Sequence, residues 1–131
     1  MPDEPAQSRG GRILVVDDEP HIRRVLDSML GHEGFDVVLA SGGAEALQAI
    51  ASGRIDLVIL DLIMPGASGL EVLAKIRTDA DNSDTPVIIL TAKGQDADRE
   101  AAFAGGADDF LTKPFSPKKL VARIREILGA R

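Results

Sequence analysis

Short aliphatic runs and stretches of helical periodicity alternate five times along this chain, and few architectures accommodate that order. ILVV at 13–16, the stretch from Phe35 to Ala40, LVIL at 57–60, Val87 to Leu90 and a short stretch around Phe110–Leu111 have the length and apolar character of strands. Between them, Ile22, Val25, Leu26, Met29 and Leu30 follow the i, i+3, i+4, i+7, i+8 spacing of a helix face. Ala44, Leu47 and Ile50 mark a second helix, and Leu70, Leu73, Ala74 and Ile76 a third. A fourth is expected near 96–104, and Leu120, Val121, Ile124, Ile127 and Leu128 line the fifth. Apolar runs without polar alternation belong to strands buried on both faces, which parallel sheets require. Strict strand–helix alternation therefore predicts an α/β fold: a doubly wound, five-stranded parallel sheet with helices on both faces.

Local signals punctuate this plan. Pro20 suits the first turn of the first helix, with Asp18 or Glu19 capping and Gly31 and Gly34 ending it. Gly53 stops the second helix, and Pro65-Gly66 forms a turn after the third strand. Phe103 is the only large apolar residue between 96 and 104, so that helix should be the loosest in the fold. Residues 1–11 (MPDEPAQSRGG) lack periodicity and read as a disordered leader before one domain over 12–129.

Composition narrows the function. A net charge of −6 argues against non-specific nucleic-acid binding, which needs a basic surface. No apolar run approaches the roughly 18–20 residues of a membrane-spanning helix, and no signal-peptide layout is present, so a cytoplasmic protein is expected. The absence of cysteine excludes disulfides, thiolate metal sites and cysteine nucleophiles. Without Trp or Tyr, stacking platforms for single-stranded nucleic acid are missing too.

The chemistry concentrates where strands stop. Asp17 and Asp18 close the first strand, Asp61 the third, Thr91 the fourth and Lys113 the fifth. Each alone has an ordinary explanation: a helix cap, a turn residue, a structural threonine, a solvated lysine. Together they line the carboxyl edge of one sheet, where open α/β folds bind ligands. Carboxylates gathered there repel one another and call for a hard cation such as Mg²⁺. A carboxylate is also a nucleophile toward a phosphoryl group, and the metal, ammonium and hydroxyl can neutralise the oxygens of that group.

The set Asp17-Asp18, Asp61 within DLIMPGASGLE, Thr91-Ala92 and Lys113-Pro114 within GADDFLTKPF resembles the receiver domain of two-component response regulators, from about Arg12 to Leu128. The resemblance implies the sheet order 2-1-3-4-5. It implies a switch that accepts a phosphoryl group onto Asp61, with Mg²⁺ as cofactor, from a histidine kinase or phosphotransfer protein. Asp18 and Asp61 would be the main metal ligands, Asp17 would hold a metal-bound water and the Ile63 carbonyl would complete the site. Lys113, ahead of a cis Lys113–Pro114 peptide, would pair with phosphoryl oxygens. Thr91 would be the switch hydroxyl and Phe110 the switch aromatic, standing where many relatives carry tyrosine. Ile63 and Lys93 would flank the phosphoryl group. Output would leave through the face of the fourth helix, fifth strand and fifth helix, toward a partner protein or a second copy of the chain. There Asp108, Asp109, Lys118, Lys119, Arg123 and Arg125 offer charge. On this reading the chain is no enzyme beyond promoting its own phosphorylation and dephosphorylation.

The alternatives are weaker matches. A fragment of a longer DNA-binding regulator is compatible with the same motifs. An aspartate-nucleophile phosphatase of the haloacid dehalogenase type needs a second Asp at position 63, where Ile63 stands. A flavodoxin-like carrier needs a phosphate loop where this chain has Asp-Asp-Glu-Pro, and an acidic loop repels phosphate unless a metal intervenes. A pseudo-receiver would show a replaced acceptor or lysine.

Overall fold

The computed structural model describes residues 10–66, 68–92 and 95–129. The strands are β1 (Arg12–Val16), β2 (Asp36–Ala40), β3 (Leu57–Leu60), β4 (Val87–Thr91) and β5 (Asp109–Thr112). Alternating with them are α1 (Pro20–His32), α2 (Gly43–Ser52), α3 (Gly69–Thr78), α4 (Asp96–Ala104) and α5 (Pro117–Gly129). The sheet is parallel throughout, in the order β2-β1-β3-β4-β5. The expected leader lies outside the described residues except for Gly10 and Gly11.

Successive strand residues point to opposite faces, so each central strand feeds two cores. On one face Leu14, Val16, Val58, Leu60 and Ile89 meet Ala46 and Ile50 of α2, Val72, Leu73 and Ile76 of α3, and Ala102 of α4. On the other Ile13, Val15, Ile59, Ile88 and Leu90 meet Leu26 and Leu30 of α1 and Leu120, Val121 and Ile124 of α5. Each large aliphatic side chain taken fully out of water contributes about 1.5–3 kcal/mol, which is why the uninterrupted runs become the centre of the sheet.

Both ends of α1 depart from local expectation. Helix α1 runs through Gly31 and stops at His32, with Gly34 taking the positive φ of 95° in the following turn. Its start has Glu19 in the cap position, but no side chain accepts a capping hydrogen bond there. The carboxylate of Asp17 instead accepts the Glu19 N–H at 2.9 Å, and Pro20 opens the first turn as expected. Phe103, the one large apolar residue of α4, is 42% exposed, and the residue the helix buries is Ala102.

Candidate functional site

Pairing register builds the site. Val16 lies opposite Leu60, so the next residues, Asp17 and Asp61, emerge side by side from neighbouring strands. The backbone continues the ladder: Asp61 N–H donates to the Val16 carbonyl at 3.0 Å, and Asp17 N–H to the Ala40 carbonyl at 3.1 Å. Thr91 pairs with Thr112, and Lys113 N–H donates to the Thr91 carbonyl at 2.9 Å, carrying the lysine to the same edge. The Lys113–Pro114 peptide is cis.

From there the Lys113 side chain reaches across the sheet end. Its Nζ donates to Asp17 Oδ2 at 2.7 Å, to Glu19 Oε1 at 3.0 Å and to Asp61 Oδ2 at 3.2 Å. One ammonium thus faces three carboxylates, with Asp17 and Asp61 both buried. Oxygens of Asp17, Asp18 and Asp61 lie within 4.8 Å of one another, and Asp18 is the most open of the three. An all-oxygen, carboxylate-rich set with one side open to solvent fits a hard divalent cation that keeps some of its waters.

Electrostatics follow from burial. Desolvation pushes the Asp17 carboxyl above its ordinary value, against the opposing hydrogen bonds from Lys113 and the Glu19 N–H. Burial alone would lower the Lys113 ammonium, but its hydrogen bonds to Asp17 and Glu19 and the charges of Asp17 and Asp61 outweigh it, raising it above its ordinary value. The lysine is therefore a fixed positive charge at neutral pH.

The loop after β3 shapes the acidic corner. Asp61 Oδ1 accepts the Ile63 N–H at 3.2 Å, while the Ile63 side chain is 53% exposed at the mouth. Helix α3 begins so close beneath that a Cβ at Gly69 would collide with the Asp61 carbonyl oxygen and the Leu62 backbone. Thr91 is fully buried at the end of β4, and Phe110 is buried on the face of α2, α3 and α4. Lys93 lies outside the described residues.

Asp17, Asp18, Asp61, Thr91 and Lys113 all close strands along this one edge, as their positions in sequence predicted. Sequence reasoning read Glu19 only as a cap, and gave Gly69 no part. The third consecutive acid after β1 was the visible sign of the first; nothing local marked the second, since its constraint comes from a backbone eight residues earlier.

The fold and this edge define a class. The family model of the response regulator receiver domain matches residues 13–125, and the chain belongs to that family. Among curated proteins it is 43% identical over 122 residues to the transcriptional regulatory protein ResD of Bacillus subtilis, covering 93% of this chain and 50% of that one. It is 46% identical over 114 residues to the DNA-binding response regulator MtrA of Mycolicibacterium smegmatis, covering 87% and 49%. The chain thus spans about half the length of these relatives. Among solved structures, the response regulator TrrA of Thermotoga maritima in complex with Mg²⁺-BeF matches with a TM-score of 0.79 at 42% identity, over 88% of this chain and 97% of that one. The chemotaxis protein CheY4 of Vibrio cholerae matches with a TM-score of 0.84 at 31% identity, over 88% and 97%. Among the described residues, no helix is long and apolar enough to cross a membrane.

Proposed function

We propose that the domain is a phosphorylatable signalling switch in which Asp61 is the acceptor. A carboxylate oxygen of Asp61 attacks the phosphorus of a phosphohistidine on a histidine kinase or phosphotransfer protein. The new O–P bond forms as the P–N bond breaks, and its electron pair leaves on the imidazole nitrogen. The supporting observation is the convergence of the Lys113 ammonium on Asp17, Glu19 and Asp61 at 2.7–3.2 Å. Asp61 is held by the longer of the two site-aspartate contacts to that ammonium, 3.2 Å against 2.7 Å for Asp17, which suits a group that must exchange lysine for a phosphoryl group. Lys113 then turns to the incoming oxygens. Asp17, Asp18, Asp61 and the Ile63 carbonyl would hold Mg²⁺, which supplies charge neutralisation when bound.

Thr91 is the switch hydroxyl and Phe110 the switch aromatic in this reading, and a shift of population carries the signal to α4, β5 and α5. The output is a partner protein or a second copy of the chain, in the cytoplasm, and the domain changes no substrate but its own acyl phosphate. Several charges on that face already pair within the chain: Arg123 with Asp109 at 2.6 Å, Asp108 with Arg77 at 3.2 Å, and Arg125 with Glu33 at 3.0 Å. A partner using them must exchange those pairs, whereas Lys118 and Lys119 are open to it. The receiver unit is 12–129, preceded by the leader at 1–11. A second reading, the receiver part of a longer DNA-binding regulator, is favoured by the half-length coverage of the relatives.

The test is phosphorylation without a kinase. Incubation with Mg²⁺ and a small acyl phosphate should place one acid-labile phosphoryl group on the wild type and none on Asp61→Asn. Equal labelling of that variant would remove Asp61 from the role.

A further inference from the structure

Helix α4 is fixed at one end. Arg77 of α3 donates through Nε and Nη2 to the Gly106 carbonyl at 3.2 and 2.8 Å, and through Nη1 to the Thr85 carbonyl at 2.7 Å and the Ser83 carbonyl at 3.2 Å. The turn that ends α4 is thereby fastened to the core, and Ala102 packs beneath the same end. The first half of the helix has neither a side-chain cap nor a buried residue. A displacement of α4 that keeps those bonds is a swing of its N-terminal half about the Gly105–Gly106 end.

Arg99 sits on that swinging half. Its guanidinium carbon lies 5.5 Å from the centroid of the Phe110 ring and 5.7 Å from that of Phe103, one helical turn further along α4. The two rings differ in surroundings, Phe110 being 2% exposed and Phe103 42%. Among the described residues Arg99 is engaged by no carboxylate. Its charge is thus available to the ring faces, and a planar guanidinium stacks on them better than an ammonium does. Phe110 has no hydroxyl with which to hold its position, so a contact to its face is the polar restraint its chemistry permits.

We propose that Arg99 is the positioning residue that couples α4 to Phe110: clasped by the two rings, its guanidinium favours the buried ring and links that position to where the helix lies. The proposal rests on the reading of Phe110 as the switch aromatic. Loss of Arg99 should free the helix, let the ring sample other positions, and weaken the response to a phosphoryl mimic by the population it no longer holds.

The chain has four Phe and neither Tyr nor Trp, so ring-labelled phenylalanine gives a sparse NMR spectrum in which each ring can be followed. Arg99→Met should displace the Phe103 and Phe110 resonances while leaving Phe35 and Phe115 in place. In a titration with beryllofluoride and Mg²⁺, its midpoint should weaken about three- to tenfold, the size expected of one cation–π contact, while its far-UV circular dichroism stays that of the folded wild type. Arg99→Lys, which keeps the charge, should lose less than Arg99→Met in both readouts. Wild-type Phe110 resonances in Arg99→Met, a wild-type midpoint despite displaced rings, or equal losses in the Lys and Met variants would each overturn the proposal. A wild type that ignores beryllofluoride would refute the switch reading instead. The rings of unliganded Arg99→Met then decide by themselves whether Arg99 positions Phe110.

Discussion

Helix α3 buries Gly69, Val72, Leu73 and Ile76, whereas α4, one residue shorter, buries Ala102 alone. The two pack on the same face of the same sheet. Their starts differ as much as their faces. Ser68 accepts the Glu71 N–H and Glu71 accepts the Ser68 N–H, a full capping box for α3, while Gln95 makes no side-chain cap for α4. Burial of three large aliphatic residues is worth roughly 6 kcal/mol to α3, several times what one alanine gives α4. The difference teaches how one small domain can set the Asp61 turn against a firmly packed helix and leave another helix on the same face with little to hold it. α3 is the wall against which the Asp61 turn is set, and α4 is the helix held by the smaller buried face.

The contrast can be broken most directly by mutation. Leu73→Ala should cost about 2–5 kcal/mol in urea unfolding followed by circular dichroism, because a fully buried leucine leaves a cavity. Phe103→Ala should cost less than about 1 kcal/mol despite removing a larger side chain, since its ring is partly in water. Equal costs would mean that α4 is anchored as firmly as α3.

Amide hydrogen exchange reads the same difference without mutation. Amides of α4 should exchange at least about tenfold faster than those of α3, an opening free energy lower by roughly 1.4 kcal/mol or more. Beryllofluoride with Mg²⁺ should change protection across 96–125 as well as in the loops around Asp18 and Asp61. Changes confined to those loops would show that the output face lies elsewhere.

The caps sharpen the comparison at its smallest scale. Ser68→Ala should lower stability by about 1 kcal/mol, the usual value of an N-cap hydrogen bond. Gln95→Ser should raise it by roughly 0.5 kcal/mol by supplying to α4 what α3 already has, and should also slow exchange in its first turn. A neutral Ser68→Ala would assign the firmness of α3 to packing alone.

Local chemistry made much of this legible. Apolar runs of four residues without polar alternation belong inside the molecule, and between helical stretches they fit strands covered on both faces, so ILVV, LVIL and VIIL predicted their own burial. Strand ends that terminate in Asp, Asp, Thr and Lys likewise announced a shared polar edge, where Asp17, Asp61 and Lys113 meet. Helix stops were less legible: Gly31 is tolerated inside α1 because the helix gains tertiary contacts through Leu26 and Leu30 that outweigh one glycine.

By itself, then, the sequence determined the elements, their order and the residues offered to the carboxyl edge, because periodicity and strand endings are properties of neighbours along the chain. Only the tertiary structure decided which of those residues touch. Lys113 meets an aspartate 96 positions away because register and side-chain reach bring strand ends together. The same holds for Gly69 under the Asp61 carbonyl, for Arg77 on the Gly106 carbonyl and for Arg99 on the Phe110 ring. Phe103 is the plainest case: it is the one large apolar residue of α4, yet the placement of that helix left its ring partly in water and its neighbour Ala102 inside. A side chain's chemistry is written locally, but its burial depends on the angle at which its element meets the rest of the molecule, and that angle is set by packing over the whole sheet.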